Sequence, residues 1–469
     1  MKRAILLLVD GLRPDVAEAE LAAGRLPHLA AMTSGGAVGR ATTAFPSTTG
    51  VAYLPFLTGC LPGRCNVPSI RWLDRKRYGG KWWRERNHLR SYCGWQAGHI
   101  DTDIAPGART LFELIPESLA LFTPITRGLS AVRDPTQRAR RFWGAMGHYL
   151  QWHQPGDDLV SRRLVESIDQ PWRFIFAQFP AVDGYTHQKH PSAPRVLRAL
   201  ARVDATIGQL RARLTARGEA ESTLILLVSD HGASLVHTHL DLADWFRARD
   251  VRPLAHPTLW TRNPAVAVMV AGNGSAMLYA RPDEPRLERW PLPTLRSPGA
   301  FGTDEDIVAA LVREDAVAFV VAADGQGALV VVDRDGEARL SLTGATLAYQ
   351  PLTSDPLGLG GTVVGNAAEW LRRTHDSDWP DAAVQLWDQF RSERTGDLVV
   401  IAREGWDFRD AFEVPEHRSG HGSLHRAHML IPLWSNMPLP PGPHRSVDVF
   451  AHVLHWLGEP LPSNCDTAG

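Results

Sequence analysis

Three short apolar runs frame this chain, and each gives way to an acidic residue. Arg3-Ala4-Ile5-Leu6-Leu7-Leu8-Val9 meets Asp10-Gly11, Phe174 to Phe179 meets Pro180-Ala181-Val182-Asp183, and Thr223 to Val228 meets Ser229-Asp230-His231-Gly232. Apolar runs this short, without polar alternation, predict strands buried on both faces, as in a parallel sheet. After the second run, Val196, Leu197, Leu200, Val203, Ile207, Leu210 and Leu214 recur at the spacing of a helix with one apolar stripe. A shorter helix is predicted over Pro27 to Thr33, opened by proline and given an apolar side by Leu29, Ala30 and Met32. Strand alternating with helix predicts an α/β fold: a doubly wound, mostly parallel sheet flanked by helices, with the strand ends gathered on one edge.

The pattern changes near residue 255. Short β runs follow at Ala265 to Val270, Ala276 to Ala280, Val317 to Ala322 and Ala328 to Val332, and Asp333-Arg334-Asp335-Gly336 has hairpin-turn composition. Residues 1–254 are therefore expected to form the first part of a catalytic core, 255–395 an inserted, smaller α+β elaboration, and 396–469 the rest of the core. In that last part Gly396 to Ala402 is expected to return as a strand to the main sheet, followed by a strand at Met429 to Trp434 and a helix from Val447 to Leu457.

Composition narrows the function classes. The 469 residues exceed one simple core, and a net charge of -1 offers no general attraction to a nucleic acid polymer or an anionic membrane. No apolar stretch reaches the roughly 18 residues of a membrane span, so no insertion is expected. The N-terminal apolar run has no cleavage-site pattern behind it and is read as a strand, not a leader. The four cysteines, Cys60, Cys65, Cys93 and Cys465, form no CxxC pair, which with the missing leader favours a cytoplasmic setting.

The chemistry lies at the strand ends. Phe45-Pro46-Ser47-Thr48-Thr49-Gly50 precedes an apolar run ending in Leu57-Thr58-Gly59, so a hydroxyl is expected at a helix N-terminus, with Thr49 the candidate nucleophile. A hydroxyl needs activation. Asp10, Asp183, His187, Asp230, His231 and His421 supply carboxylates and imidazoles suited to zinc or manganese, and six such ligands exceed one tetrahedral site, implying two metals. His425 and His428 are read as supporting residues. Arg71 to Arg90 is dense in cations and aromatics, among them Trp72, Trp82 and Trp83, which can tuck under the domain or stack a base.

The order Asp10, Thr49, Asp183-x-x-x-His187, Asp230-His231-Gly, Gly-His421-Gly resembles the alkaline phosphatase superfamily, in particular its type I phosphodiesterase/nucleotide pyrophosphatase branch. The resemblance implies that superfamily's fold. It also implies one zinc on Asp183, His187 and His421, a second on Asp10, Asp230 and His231, and Thr49 as the metal-bound nucleophile. The family's register puts the nucleophile nine and ten residues before a Thr-Gly pair, which here is Thr58-Gly59 and selects Thr49. That register also makes accidental the sulfatase-like Cys60-Leu61-Pro62-Gly63-Arg64, because a sulfatase cysteine would occupy the Thr49 slot. Where nucleotide pyrophosphatases carry a phosphate-contacting Asn, this chain has Ile70, and the neighbouring Arg71 is the candidate substitute donor. The expected activity is hydrolysis of a small phosphate ester, a diester or a pyrophosphate-linked nucleotide, through a phosphothreonine. A phosphomonoesterase, phosphonate hydrolase or phosphomutase on the same metal core, or a metal-stabilised binding protein, remain alternatives.

Overall fold

The computed structural model describes residues 2–78, 88–284, 286–409, 413 and 416–466. Its main sheet runs in the order His444–Arg445, Ala37–Thr42, Leu430–Ser435, Thr223–Val228, Arg3–Val9, Phe174–Phe179, Ser118–Leu121. The last four strands are mutually parallel, whereas Leu430–Ser435 is antiparallel to both of its neighbours. Leu8 lies opposite both Gln178 and Val228, so the three acid-bearing strand ends arrive side by side.

Alternation along Arg3–Val9 explains the two helix layers. Ile5, Leu7 and Val9 pack with Leu200, Val203, Ile207 and Leu210 of the helix Pro194–Ala216. Ala4, Leu6 and Leu8 face the opposite cluster, with Val449, Phe450 and Val453 of the helix Ser446–Leu457. Both faces are thus covered, and a strand buried twice has no reason to alternate in polarity.

The second sheet runs Pro253–Ala255, Val266–Ala271, Ser275–Ala280, Leu398–Ala402, Val317–Ala323, Ala328–Val332, Glu337–Thr343, Thr346–Pro351, Val363–Gly365. Leu398–Ala402 does not return to the main sheet as expected. It pairs antiparallel with Ser275–Ala280 and Val317–Ala323. Its sequence is an apolar run that records burial on both faces and says nothing of its partners. Met269, Met277 and Tyr279 of this sheet share a core with Leu6 and Leu8 of the first.

The turn between Val266–Ala271 and Ser275–Ala280 clamps the segment that carries His421. The His421 backbone N–H donates to Gly272 O at 3.2 Å, Gly274 N–H donates to His421 O at 2.8 Å, and Ser275 Oγ donates to Gly422 O at 2.8 Å. Gly272 has φ +54°, and a Cβ there would lie 2.7 Å from His421 Nδ1, so the close approach requires glycine. No helix among the described residues is long and apolar enough to cross a membrane.

Candidate active site

The shared strand edge brings the predicted ligand set together. Ligand-type atoms of Asp10, Asp230 and His231 all lie within 4.8 Å of one another, and so do those of Asp183, His231 and His421. His231 belongs to both groups. His187 belongs to neither, although its Nε2 is 3.2 Å from Asp183 Oδ2 and its ring centroid 5.1 Å from that of His421. Gly11 permits this crowding: its φ is +68°, its N–H donates to Asp230 Oδ1 at 3.2 Å, and a Cβ there would lie 2.6 Å from Asp183 Oδ1.

Each imidazole is oriented by a backbone carbonyl. Nδ1 of His187 donates to Ser419 O at 2.8 Å, that of His231 to Gly232 O at 2.9 Å and that of His421 to Ser47 O at 2.9 Å. Because a carbonyl only accepts, Nδ1 carries the hydrogen in all three, and Nε2 is the atom presented to the site. This is the outer-contact pattern of histidine metal ligands.

Thr49 Oγ1 sits 3.2 Å from both Asp10 Oδ1 and His231 Nε2. It does not cap a helix as expected: Gly50 leads into a 3₁₀ turn at Val51–Tyr53, and only then does the helix Leu54–Thr58 begin, without a side-chain cap. The carboxylate and imidazole offer the hydroxyl better partners than a backbone N–H. Two residues unremarked in the sequence hold the other side of Asp10. Tyr53 OH and Gln178 Nε2 each donate to Asp10 Oδ2 at 2.8 Å. Gln178 had left a signal, as the one amide inside an otherwise apolar strand.

The electrostatics call for added positive charge. Burial, then the neighbouring carboxylates of Asp230 and Asp183, push Asp10 well above the ordinary carboxylate range. Burial and Asp183 lift Asp230 to about 7. Burial alone would raise Asp183 too, but His187, His231 and His421 outweigh it and hold that carboxyl low. Burial alone would lower His187, yet Asp183 beside it raises the imidazole to about 9. His421 is held down by burial and by His231. Protons on carboxyls and imidazoles thus stand where cations would. Asp183 Oδ1 and Asp230 Oδ2 are buried with no hydrogen-bond partner, open lone pairs in a donor set of oxygen and imidazole nitrogen that fits zinc or manganese.

The remaining candidates have surroundings of their own. Arg71 lines a small cavity with Asp241, Ala255, His256, Val270 and Phe408, and none of the ligand-type residues lines it. Trp72 is no stacking platform: it is buried, its Nε1 donates to Tyr92 OH at 2.9 Å, and Arg394 lies over its ring at 4.4 Å. Trp82 and Trp83 lie outside the described residues. His428 supports the fold, with Nε2 at 2.8 Å from Ser234 Oγ and Nδ1 accepting from Ser423 N at 3.1 Å. His425 caps the helix Arg426–Met429.

A model of the type I phosphodiesterase/nucleotide pyrophosphatase family matches residues 4–424. The chain belongs to that family. It is accordingly a hydrolase of phosphoric ester bonds, in the alkaline phosphatase superfamily. The family is metal-dependent, in keeping with the two ligand-type groups. Among curated proteins none matches. Among solved structures the fold is similar to phosphonoacetate hydrolase from Sinorhizobium meliloti in complex with phosphonoacetate, with TM-score 0.59, 15% identity, and coverage of 97% of this chain and 96% of that one. It is equally similar to an inactive variant of murine ectonucleotide pyrophosphatase/phosphodiesterase 5 in complex with AMP, with TM-score 0.59, 13% identity, and coverage of 99% and 98%. At such identities the likeness carries the fold alone.

Proposed function

We propose that this phosphoric ester hydrolase uses Thr49 as its nucleophile and two zinc ions as cofactors, and that it cleaves phosphodiesters or pyrophosphate-linked nucleotides. The carrying observation is the placement of Thr49 Oγ1, 3.2 Å from Asp10 Oδ1 and from His231 Nε2, at the junction of the two ligand-type groups. Asp10, Asp230 and His231 would hold one ion. Asp183 and His421 would hold the other, with His187 completing it by a shift of a side chain that already touches Asp183. Bound zinc supplies Lewis-acid charge that lowers the hydroxyl pKa and draws charge from the phosphoryl oxygens.

The chain's own residues do the rest. Tyr53 and Gln178 fix Asp10 Oδ2, so that Oδ1 faces the Thr49 hydroxyl and orients it. Thr49 Oγ1 attacks phosphorus in line, the leaving alkoxide or phosphate departs, and the phosphothreonine is then cleaved by water, regenerating the hydroxyl. The diester preference is supported by Gly50, Val51, Ala52 and Tyr53, which follow the nucleophile without a cation, where a dianionic monoester would need one. Thr49→Ala should lower kcat by roughly 10³-fold or more, with metal content near that of the unmodified protein, while Thr49→Ser retains measurable turnover. Elemental analysis should find close to two zinc ions per chain, with one lost in Asp230→Ala. Near-normal turnover by Thr49→Ala would move the nucleophile elsewhere.

A further inference from the structure

The run Cys60-Leu61-Pro62-Gly63-Arg64 has no part in the chemistry above, and it receives another stretch of the chain instead. Asp466 N–H donates to Gly59 O at 2.8 Å, and the Asp466 carboxylate accepts from Leu61 N–H at 3.0 Å and from Arg64 Nη1 at 2.6 Å. These bonds fall on either side of Cys60 and bring Cys465 level with it. Cys60 Sγ lies 3.3 Å from Asn464 O, and Cys465 Sγ lies 3.9 Å from Thr58 O, so each sulfur rests against the backbone just before the other cysteine. Gly59 has φ +66°, and a Cβ there would lie 3.0 Å from Cys465 Sγ, so glycine leaves the room that this sulfur occupies.

The two thiols hydrogen-bond each other. That bond, with a second from Cys65, holds the Cys60 thiol well below its usual range, and the same bond together with burial holds Cys465 above it. One proton thus serves both sulfurs. A thiolate is the form that oxidants attack, and a second sulfur beside it lets the product close to a disulfide instead of running on to sulfinic acid. Cys60 is buried and Cys465 half-buried, so an oxidant meets Cys465 first. Cys65 is a poor competitor: its Sγ is 3.4 Å from Thr58 Oγ1, and burial and the bond to Cys60 push its thiol well above the usual range. Among the described residues, the ligand-type atoms that gather within 4.8 Å in groups of three or more belong to the strand ends, so the sulfurs form no metal cage.

We propose that Cys60 and Cys465 form a reversible oxidation site, closed by hydrogen peroxide to a disulfide that staples 464–466 to the end of the helix Leu54–Thr58. The Cys465 thiolate sulfur bonds to one peroxide oxygen, the O–O bond breaks, and the hydroxide released is protonated to water. The Cys60 sulfur then attacks the Cys465 sulfenic acid. The S–S bond forms as the S–O bond breaks, and the second hydroxide takes the shared proton to become water. Two thiols are oxidised and one peroxide is reduced to two waters. Peptide mapping of the whole reduced chain after exposure to hydrogen peroxide, with free thiols blocked by iodoacetamide, tests this. Cys60 and Cys465 should appear as one linked pair that dithiothreitol separates, while Cys65 and Cys93 remain alkylated. Peroxide should also raise Tm, because a bond between residues 60 and 465 restricts the unfolded chain, and dithiothreitol should reverse the rise. In Cys465→Ser the Tm should show no such rise. No linkage, a bond between Cys60 and Cys65, or linkage only between chains overturns the proposal. So does a Cys60–Cys465 bond that forms without raising Tm, since the staple then holds nothing.

Discussion

Replacing Gly11 by alanine should damage the fold and the chemistry together, and a second glycine provides the control. Gly11 and Gly24 have nearly the same backbone, φ +68° and +70°, so alanine costs about 1–2 kcal/mol at either for the left-handed conformation. Their surroundings differ. A Cβ at Gly24 meets nothing within 4 Å, whereas at Gly11 it would lie 2.6 Å from Asp183 Oδ1, 2.7 Å from Asp183 Cβ and 2.9 Å from Asp183 Cα. The last of these is backbone, so no rotamer change relieves it, and overpacking adds about 1–3 kcal/mol. Gly11→Ala should therefore lose about 2–5 kcal/mol in urea denaturation, against about 1–2 kcal/mol for Gly24→Ala. Moving Asp183 away from His231 and His421 by a fraction of an ångström to an ångström should also cut turnover of bis-p-nitrophenyl phosphate by up to about 10²-fold. Gly24→Ala should turn over normally. Equal destabilisation of the two variants, or full activity in Gly11→Ala, would refute the steric argument.

Two further outcomes are expected. The kcat/KM for bis-p-nitrophenyl phosphate should exceed that for p-nitrophenyl phosphate. A tenfold preference for the monoester, about 1.4 kcal/mol at the transition state, would show that the segment after Thr49 was misjudged. His256 is held down to about 3 by burial and by Arg71, with its Nε2 enclosed and unpartnered. The unfolded chain therefore takes up a proton below pH 6.5 that the folded chain refuses, so this group's contribution to stability is complete above pH 6.5 and falls as pH drops toward 3. Relative to the unmodified protein, His256→Gln should become progressively more stable as pH falls, by up to about 1.4 kcal/mol per unit. A difference that does not change with pH would contradict this.

The strand ends were legible in the sequence because burial on both faces erases polar alternation and leaves the acids at 10, 183 and 230 to stand out. His421 could be placed through its Gly-His-Gly setting and the family resemblance. Which sheet Leu398–Ala402 joins was not legible, since pairing partners are long-range information that an apolar run does not carry. Tyr53 and Gln178 escaped notice because their roles come from hydrogen bonds across 43 and 168 residues of chain. Arg71 was read as a substitute donor from its adjacency to Ile70, and adjacency in sequence leaves open which way a side chain departs its strand.

The clamp on His421 bears on how this enzyme could be remodelled. A chimaera that exchanged the second sheet with that of a relative would also exchange the turn that seats one of the site's imidazoles, so specificity and rate could not be transplanted separately. Crossovers would have to take 272–275 and 420–423 from one parent, because the backbone bonds and the Ser275 hydroxyl tie the two segments together. Substitutions deep in the second sheet, with no contact to substrate, could then tune turnover through the seating of a single ring.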